Sequence, residues 1–510
     1  MSGYSIIDLE TAIHKWSVMG SLKSITKSKI VCTLGPASFS EEMIKALSDR
    51  GMDVARLNFS HGTIEEKEQV FNTIREVDPT LAIMADIQGP KIRLGKIEGD
   101  GVRLNVDQHV VVTSEDIVGN QERFTITYDL LPQEAQSGDC IFINDGLVRL
   151  EVESIDGNDI TCIVRAGGMI SSKKGVNLPS TKLSIRVPTP KDVDDLKFIA
   201  RIDPEYLSVS FVEEASDIEH VRQILEENGN TSIKIIAKIE RPNGLKNFDE
   251  ILAISDGIMV ARGDLGVEVP FEQLIPAQKM MVRKANIAGK LVIVATQMLE
   301  SMTNSPMPTR AEVSDVYNAI ADGADAVMLS EETAAGNYPK EAVETMERII
   351  RVSETHIPVR NPDDFDSKEA NNSEIIGHLV YNAGKGFIAT GQGLARIKIL
   401  VLTHSGLSAR MVSKYRPNFP ILAVTSSQRT ARELRSVWGV ESLTIPEIDD
   451  DPDTFHKIQK STSAAMEQGF IDENDTLIIA GNISYLPAKT NMLSIFTVKD
   501  ILDSIKNTGA

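Results

Sequence analysis

Eight short apolar segments, each followed by a segment of helical pattern, constrain the fold of this chain more than any other feature. They are rich in Val, Ile, Leu and Ala and do not alternate with polar residues. That composition is typical of strands buried on both faces of a parallel sheet. Eight such strands separated by helices predict an α/β protein built on a closed (β/α)8 barrel, the TIM barrel. The segments are residues 29–35, 53–59, 81–87, 206–212, 234–240, 257–263, 291–297 and 326–332.

Local patterns also predict where several helices begin. Ser38, Thr63 and Ser216 are each followed three residues later by Glu, which fits the capping box. Pro339 fits the first position of the last barrel helix.

The stretch between the third and fourth strands differs in character from the rest of the barrel. It reads as short strands separated by Gly, Asn and Asp turns, which predicts a small β-barrel domain inserted after the third strand. Such an insertion leaves the barrel at its C-terminal face, where a lid can close over a site.

A Pro-, Asp- and Asn-rich linker follows the barrel, and a second α/β alternation follows the linker. This last part predicts an open sheet with flanking helices. The predicted domains are a barrel at 1–89 and 186–357 (with 1–25 as an N-terminal helical segment), a lid at 90–185, and a C-terminal α/β regulatory domain at 358–510.

Composition narrows the classes of partner. The formal net charge of -20 argues against nucleic acid as a main partner, because binding its phosphates requires a basic surface. Cys32, Cys140 and Cys162 are too few and too scattered for a disulfide framework, so a reducing compartment such as the cytoplasm is expected. No signal peptide or membrane span is expected from the pattern of apolar residues.

Polar residues collect at the ends of the predicted strands, where enzymes with this barrel carry their chemistry. Lys238 and Glu240 lie two apart on the fifth strand, so both should point to the same side. Asp264 follows the sixth strand, and two carboxylates with room for phosphate and water suit Mg²⁺. The alternative for Lys238 and Glu240 is a structural ion pair. The segment 261–266, ARGDLG, predicts a turn whose backbone N–H groups could hold a carboxylate.

The chain carries a series of motifs that together resemble the pyruvate kinase family. They run from about residue 27 to about residue 355 and include KIVCTLGPAS, ARLNFSHG, DIQGPKIR, KKGVNLP, IAKIERPNG, IMVARGDLGVEVP, ATQMLESM and PTRAEVSDVYNAIADGADAVMLSEETAAG. The resemblance is weaker in the C-terminal domain. It implies a phosphotransferase that uses Mg²⁺ or Mn²⁺ to convert phosphoenolpyruvate and ADP to pyruvate and ATP, the final step of glycolysis. It also implies a homotetramer in the cytoplasm.

The resemblance assigns a role to each matching residue. Lys238 would neutralise the transferring phosphoryl group, and Glu240 with Asp264 would hold the divalent metal ion. The backbone amides of Gly263 and Asp264 would bind the substrate carboxylate, and Thr296 would help the enolate receive its proton. The predicted phosphate and nucleotide contacts are Arg56, Arg93, His61 and Lys174.

Two departures from the family pattern stand out. The family's K⁺ ligands match Asn58, Ser60, Asp86 and the carbonyl of Ile87, but Lys91 stands where K⁺-dependent members have Glu. A lysine ammonium can supply the charge of the monovalent ion, which predicts activity that does not require K⁺. The alternative is that Lys91 points outward.

The second departure concerns the effector loop of the C-terminal domain. The loop keeps its hydroxyls and glycine but not its flanking basic residues, and the loop at 481–490 lacks a Gly-Ser-Gly run. Either no effector or a monophosphate is expected. The candidate effector residues are Thr403, His404, Ser405, Gly406 and Ser408.

Two other functions remain open at this point. One is a lyase-type barrel enzyme of phosphoenolpyruvate or pyruvate chemistry, which would also place Mg²⁺ on a Glu/Asp pair but would not need the inserted lid. The other is a catalytically inactive regulatory relative, which would be expected to lack one of Lys238, Glu240, Asp264 or Thr296. All four are present.

Overall fold

Buried strands form the centre of the protein, which is described by a computed structural model at residues 26–357, 371–389, 396–482 and 490–508. The predicted N-terminal helical segment 1–25 lies outside the described residues, as do most of the linker and most of the 481–490 loop.

The central sheet is a closed barrel of eight parallel strands, as the apolar segments predict. Consecutive strands are neighbours, and the last pairs with the first through Lys29 and Ala326. All residues of these strands except Asp53, Asn58 and Lys234 are buried, either in the barrel interior or against the helices, which explains their continuous apolar sequence. The barrel strands are β1 (Lys29–Leu34), β2 (Met52–Asn58), β3 (Ala82–Ile87), β14 (Tyr206–Val209), β15 (Lys234–Ile239), β16 (Gly257–Ala261), β17 (Leu291–Ala295) and β18 (Ala326–Leu329).

Helices surround the barrel and bury their apolar faces against it. They are α1 (Glu41–Asp49), α2 (Ile64–Val77), α4 (Pro190–Ile202), α5 (Ala215–Glu227), α6 (Pro242–Lys246), α7 (Phe248–Ile254), α8 (Arg262–Glu268), α9 (Phe271–Ala288), α10 (Arg310–Asp322), α11 (Glu331–Ala334) and α12 (Pro339–His356), with a 3₁₀ turn at Glu300–Thr303.

The predicted helix starts are partly right. Thr63 caps α2 in a complete capping box, and Pro339 is the first residue of α12. The Ser38 and Ser216 predictions are wrong: Ser40 caps α1, while Glu214 precedes α5. The Ser38 hydroxyl instead accepts a hydrogen bond from the Gly35 amide at 3.1 Å, so it stabilises the turn before the helix.

The insertion after β3 is all-β, apart from the single helical turn α3 (Leu131–Glu134), and has its own apolar core. One six-stranded sheet has the order β13-β9-β10-β11-β6-β8, and β12 pairs with β5 and β4 with β7. Its strands are β4 (Lys96–Ile97), β5 (Val102–Leu104), β6 (His109–Thr113), β7 (Val118–Gly119), β8 (Arg123–Thr125), β9 (Cys140–Ile143), β10 (Val148–Asp156), β11 (Asp159–Ala166), β12 (Gly168–Ile170) and β13 (Val176–Asn177). Below, residues 90–185 are called the lid.

The C-terminal part contains an open five-stranded sheet in the order β21-β20-β19-β22-β23, in which only β23 is antiparallel to its neighbour. Apolar clusters cover both faces of this sheet. The strands are β19 (Ile397–Leu402), β20 (Ile421–Thr425), β21 (Val440–Thr444), β22 (Thr476–Gly481) and β23 (Met492–Thr497), and the helices are α13 (Asn372–Ala389), α14 (Leu407–Lys414), α15 (Gln428–Leu434), α16 (Thr454–Glu467) and α17 (Val498–Thr508). No helix among the described residues is long and apolar enough to cross a membrane.

Candidate active site

A polar cleft of about 540 Å³ lies at the C-terminal ends of the barrel strands. This is the end of the barrel where the fold places chemistry, because the loops that follow the strands converge there. Most of the residues that the sequence predicts for catalysis and cation binding line it. Those lining residues are Arg56, Asn58, Ser60, Asp86, Lys91, Lys238, Glu240, Asp264 and Thr296.

Lys238 is a buried cation held among oxygen atoms at the floor of the cleft. Its Nζ lies 3.0 Å from Glu240 Oε1 and 3.4 Å from Asp86 Oδ1, and it donates to Ser210 Oγ at 2.7 Å. Burial alone would lower the pKa of Lys238, but the two carboxylates outweigh it and raise that pKa. The ammonium group therefore stays charged and fixed where a ligand would enter.

Asp86 links Lys238 to a second buried cation, Arg56. Arg56 Nε lies 2.8 Å from Asp86 Oδ2, and its Nη1 donates to Thr33 Oγ1 at 2.8 Å. Burial alone would raise the pKa of Asp86, but Arg56 and Lys238 more than offset it, so the pKa lies below its ordinary value. Asp86 thus holds two cations, Arg56 and Lys238, in fixed positions at the floor of the cleft.

Glu240 and Asp264 form the carboxylate side of the cleft. Glu240 is 1% exposed and accepts the Phe211 amide at 2.7 Å. Burial raises its pKa, Lys238 opposes the rise, and the nearby charge of Asp264 adds to it. Asp264 faces the cleft, and no described residue donates a hydrogen bond to its side chain. An unsatisfied carboxylate beside a buried one suits a hard divalent cation that takes its other ligands from substrate and water.

Glu240 and Asp264 are the two carboxylates that could hold a metal ion at this position. No group of three or more His, Cys, Asp or Glu side chains within the described ranges is arranged to hold a metal ion by itself. The donor set fits Mg²⁺, which usually binds one or two carboxylates plus phosphate oxygens and water.

The segment ARGDLG does not form the predicted turn. It begins α8, whose first residues are Arg262, Gly263 and Asp264. The Gly263 amide donates to Thr296 Oγ1 at 2.7 Å, and that hydroxyl donates to the carbonyl of Ala295 at 2.6 Å. The Gly263 amide is therefore already engaged, whereas the Asp264 amide, in the first turn of the helix, has no intrahelical acceptor and fits the predicted carboxylate-binding role.

Several backbones around the cleft adopt the left-handed conformation. Thr296 has φ of 70°, Gln297 of 54° and Phe211 of 57°. Non-glycine residues in this region cost energy and cluster at functional sites. In Phe211 the conformation aims the amide at Glu240, and Arg262 holds the Thr296 carbonyl through its Nη2 at 2.8 Å. Neither the Phe211 amide nor the Arg262 side chain could be assigned these contacts from the sequence, because residue types do not reveal backbone conformation.

The predicted nucleotide residues lie towards the lid rather than in the cleft floor. Arg93 bridges to Gly175, beside Lys174, and its Nη1 donates to the Lys173 carbonyl at 3.0 Å. His61 is exposed in the loop after β2, and burial together with Arg93 and other nearby cations lowers its pKa. None of these three residues is among those that line the cleft.

The candidate K⁺ ligands are near one another and already hydrogen-bonded within the chain. Asn58 Oδ1 accepts the Ser60 amide at 3.0 Å, and the Ile87 carbonyl accepts the Ser210 hydroxyl at 2.7 Å. Lys91 lines the same cleft, with an exposed side chain.

Comparisons with known proteins point to one family along most of the chain. The family model "Pyruvate kinase, barrel domain" matches residues 25–343, and "Pyruvate kinase, alpha/beta domain" matches residues 388–496. The chain belongs to the pyruvate kinase family. A pyruvate kinase of Staphylococcus epidermidis is 42% identical over 491 residues, which cover 95% of this chain and 82% of that protein. One of Staphylococcus aureus is 42% identical over 499 residues, with the same coverage.

A solved structure extends the likeness to three dimensions. A pyruvate kinase from Cryptosporidium parvum is 37% identical, with a TM-score of 0.85, over 93% of this chain and 96% of that one. The predicted fold class and enzyme family are therefore confirmed. Pyruvate kinases generally use a divalent metal ion, which agrees with the pair of carboxylates in the cleft.

Proposed function

We propose that the cleft transfers the phosphoryl group of phosphoenolpyruvate to ADP, which gives pyruvate and ATP. The observation that carries the proposal is the buried Lys238, held 3.0 Å from Glu240 and 3.4 Å from Asp86 at the barrel's C-terminal end. Phosphoryl transfer depends chiefly on positioning and on neutralising the charge of the transferring group. A fixed cation beside a carboxylate pair supplies both requirements.

Each cleft residue has a distinct task in this proposal. Lys238 and Arg56 bind the phosphoryl oxygens, while the Asp264 amide, together with the Gly263 amide if the substrate displaces it from Thr296, orients the substrate carboxylate. Glu240 and Asp264 would hold Mg²⁺ or Mn²⁺, which when bound neutralises phosphate and enolate oxygens. Thr296, whose hydroxyl accepts a hydrogen bond from the Gly263 amide, would pass a proton from solvent to the enolate. His61, Arg93 and Lys174 bind the nucleotide phosphates.

Coupling of product pyruvate to lactate dehydrogenase tests the proposal directly. Purified protein with phosphoenolpyruvate, ADP and Mg²⁺ should oxidise NADH, and omission of ADP or the metal should abolish the signal. No pyruvate under these conditions would end the proposal and favour an inactive relative. Pyruvate that forms without ADP would favour the lyase alternative.

The same assay tests the role of Lys91. We expect activity in tetramethylammonium to equal activity in K⁺, because the Lys91 ammonium supplies a fixed charge in the cleft. Lys91→Glu removes that charge and adds a carboxylate, so this variant should gain a requirement for K⁺. Wild-type activity that disappears when K⁺ is replaced would contradict the assignment.

The effector loop is poorly suited to bind a ligand with a high negative charge. His404 Nδ1 lies 2.6 Å from Asp449 Oδ2, so a carboxylate already sits against the loop. Ser408 Oγ lies 2.5 Å from Thr490 Oγ1, and Gly406, in the left-handed conformation (φ of 77°), immediately precedes α14. We expect no shift of the unfolding temperature with sugar bisphosphates, and at most a small shift with a sugar monophosphate or AMP.

The remaining assignments concern the whole protein. We propose a catalytic barrel at 1–89 and 186–357, a lid at 90–185 that excludes water, and a regulatory domain at 358–510. We also propose a cytoplasmic homotetramer, which light scattering after size-exclusion chromatography would test as a mass four times that of the chain.

A further inference from the structure

The lid touches α8, the helix that carries Asp264, through one buried polar pair. Asn177 Nδ2 donates to Glu268 Oε1 at 2.9 Å, and the two residues are 8% and 6% exposed. Asn177 is on β13 of the lid, and Glu268 is the last residue of α8. Across the described parts of the chain, this is the one side-chain hydrogen bond between residues 90–185 and the rest of the protein.

The pair lies one helical turn from the cleft. Asp264 and Glu268 are four residues apart on α8, so they lie on the same face of the helix, about 6 Å apart in side-chain origin. The charge of Asp264 is felt at Glu268, where it helps burial to raise the pKa of the Glu268 carboxyl. A displacement of Glu268 is therefore transmitted to Asp264 through one turn of α8.

Both partners are held in place on their own sides. Asn177 pairs with Phe142 on β9, and the turn that leaves β9 brings Gly146 close to α8, where an added Cβ would lie 3.5 Å from Val267. On the barrel side, the nearby Arg241 guanidinium offsets part of the Glu268 charge. A buried carboxylate that loses its hydrogen-bond donor is costly, so the pair favours one position of the lid.

We propose that Glu268 and Asn177 form a latch in which Glu268 is a positioning residue: lid closure pins the C-terminal end of α8 and thereby fixes Asp264 for catalysis. This rests on the proposed function, since it assigns to the lid a second task beside the exclusion of water. The latch thus couples closure of the lid over a nucleotide to the position of Asp264, the second carboxylate of the proposed metal site.

Asn177→Asp tests the latch with little change in shape. It replaces the donor with a carboxylate that faces Glu268, so the closed lid should be disfavoured. We expect the KM for ADP and the Mg²⁺ concentration for half-maximal activity each to rise about tenfold, with kcat reduced less. Asn158→Asp, an exposed position in a turn of the same lid, is the matched control and should leave these constants within about twofold of wild type.

A double-mutant cycle separates coupling from general damage. Asn177→Ala and Glu268→Ala should each raise the two constants, and the double variant should be no worse than the more impaired single variant. Glu268→Gln keeps an acceptor oxygen and should restore most of the loss seen with Glu268→Ala. Additive effects in the double variant, or wild-type constants in both single variants, would overturn the latch.

Hydrogen–deuterium exchange gives a readout that does not depend on turnover. In the full chain without substrates, Asn177→Asp on the lid should speed exchange of the amides in α8, and Asn158→Asp should not. Unchanged hydrogen–deuterium exchange in α8 would contradict the latch even if the enzyme is active. If wild-type protein makes no pyruvate but α8 responds to the lid, the proposed function fails while the coupling stands.

Discussion

At the scale of single residues, the cleft is organised by a buried cation that shares two carboxylates. Lys238 is 9% exposed, and it contacts Glu240 and Asp86 while Arg56 contacts the other oxygen of Asp86. Breaking one buried ion pair leaves the partner uncompensated, which costs about 3–5 kcal/mol. The same side chain therefore matters to stability and, in the proposed reaction, to charge neutralisation.

Lys238→Met tests both contributions of this side chain, to stability and to charge neutralisation. Because the side chain keeps its length but loses its charge, we expect kcat to fall by roughly 10²–10³-fold or more, as when a transition-state donor is removed. The unfolding temperature should also fall, because Glu240 then lacks its cation. The measurement is the coupled assay beside calorimetry. The exposed Lys197→Met on α4 is the control, and a Lys238→Met variant with more than a tenth of wild-type kcat would contradict the role.

Residue types alone predict part of this site. The spacing of Lys238 and Glu240 predicts that they share a face, and their 3.0 Å contact confirms it. The strand ends predict that Asp264 and Thr296 come near them, because parallel strands end at one rim. The amide of Phe211 could not be predicted, since its contribution depends on a left-handed backbone that sequence patterns do not encode.

At the scale of elements, a carboxylate in the PTRAEV motif has a structural task. Glu312 closes a capping box at the start of α10, and it accepts hydrogen bonds from the backbone amides of Ser301 and Thr309, each at 2.7 Å. It also accepts the Ser301 hydroxyl at 2.6 Å. The side chain thus ties the segment after β17 to the helix that follows it.

Glu312→Gln should weaken this junction in a pH-dependent way. Burial alone would raise the pKa of Glu312, but hydrogen bonds from Ser301 and Thr309 lower it overall. A depressed folded pKa stabilises the protein above the unfolded value, and that stability is lost as pH falls through the folded value. The variant should therefore be about 1 kcal/mol less stable at pH 7, with the difference shrinking as pH falls below about 4, near the ordinary pKa of Glu.

Calorimetry of both proteins at pH 7 and at pH 3.5 checks this expectation. An equal difference at both pH values would show that charge on Glu312 does not contribute. The exposed Glu41→Gln in the first turn of α1 serves as the control, because that side chain belongs to no capping box.

Helix starts show where sequence patterns stop being decisive. The S/T-x-x-E pattern is correct for Thr63, whose hydroxyl and Glu66 carboxylate both reach the backbone. It fails for Ser38, because Gly35 and Ser38 form a turn and the next hydroxyl, Ser40, is better placed. Strand positions are easier to predict, because burial on both faces produces a continuous apolar run, which turns do not contain.

At the scale of the whole molecule, a buried carboxylate at the N-terminal end of a barrel strand joins the barrel to the C-terminal domain. Glu205, just before β14, has no exposed surface and accepts Arg75 from α2 and Arg432 from α15. It also accepts the Ile83 amide at 2.8 Å. Tyr206 beside it donates to the Glu433 carbonyl at 2.7 Å. The sequence did not indicate this junction, because it joins residues far apart in the chain.

Glu205→Ala should loosen the connection between the two domains. It leaves Arg75 and Arg432 facing each other without a carboxylate, a loss of about 3–5 kcal/mol for a broken buried pair. We expect the calorimetric transition to split, with the C-terminal domain unfolding at a lower temperature than the barrel. Tyr206→Phe removes the hydroxyl that hydrogen-bonds to the Glu433 carbonyl and to the Ser436 hydroxyl at the same junction, and should cost only about 2 kcal/mol without splitting the transition. Arg201→Ala breaks a pair on the barrel surface, where both partners are exposed, and should have almost no effect. A single transition for Glu205→Ala at the wild-type temperature would mean that apolar packing, and not this ion cluster, holds the two domains together.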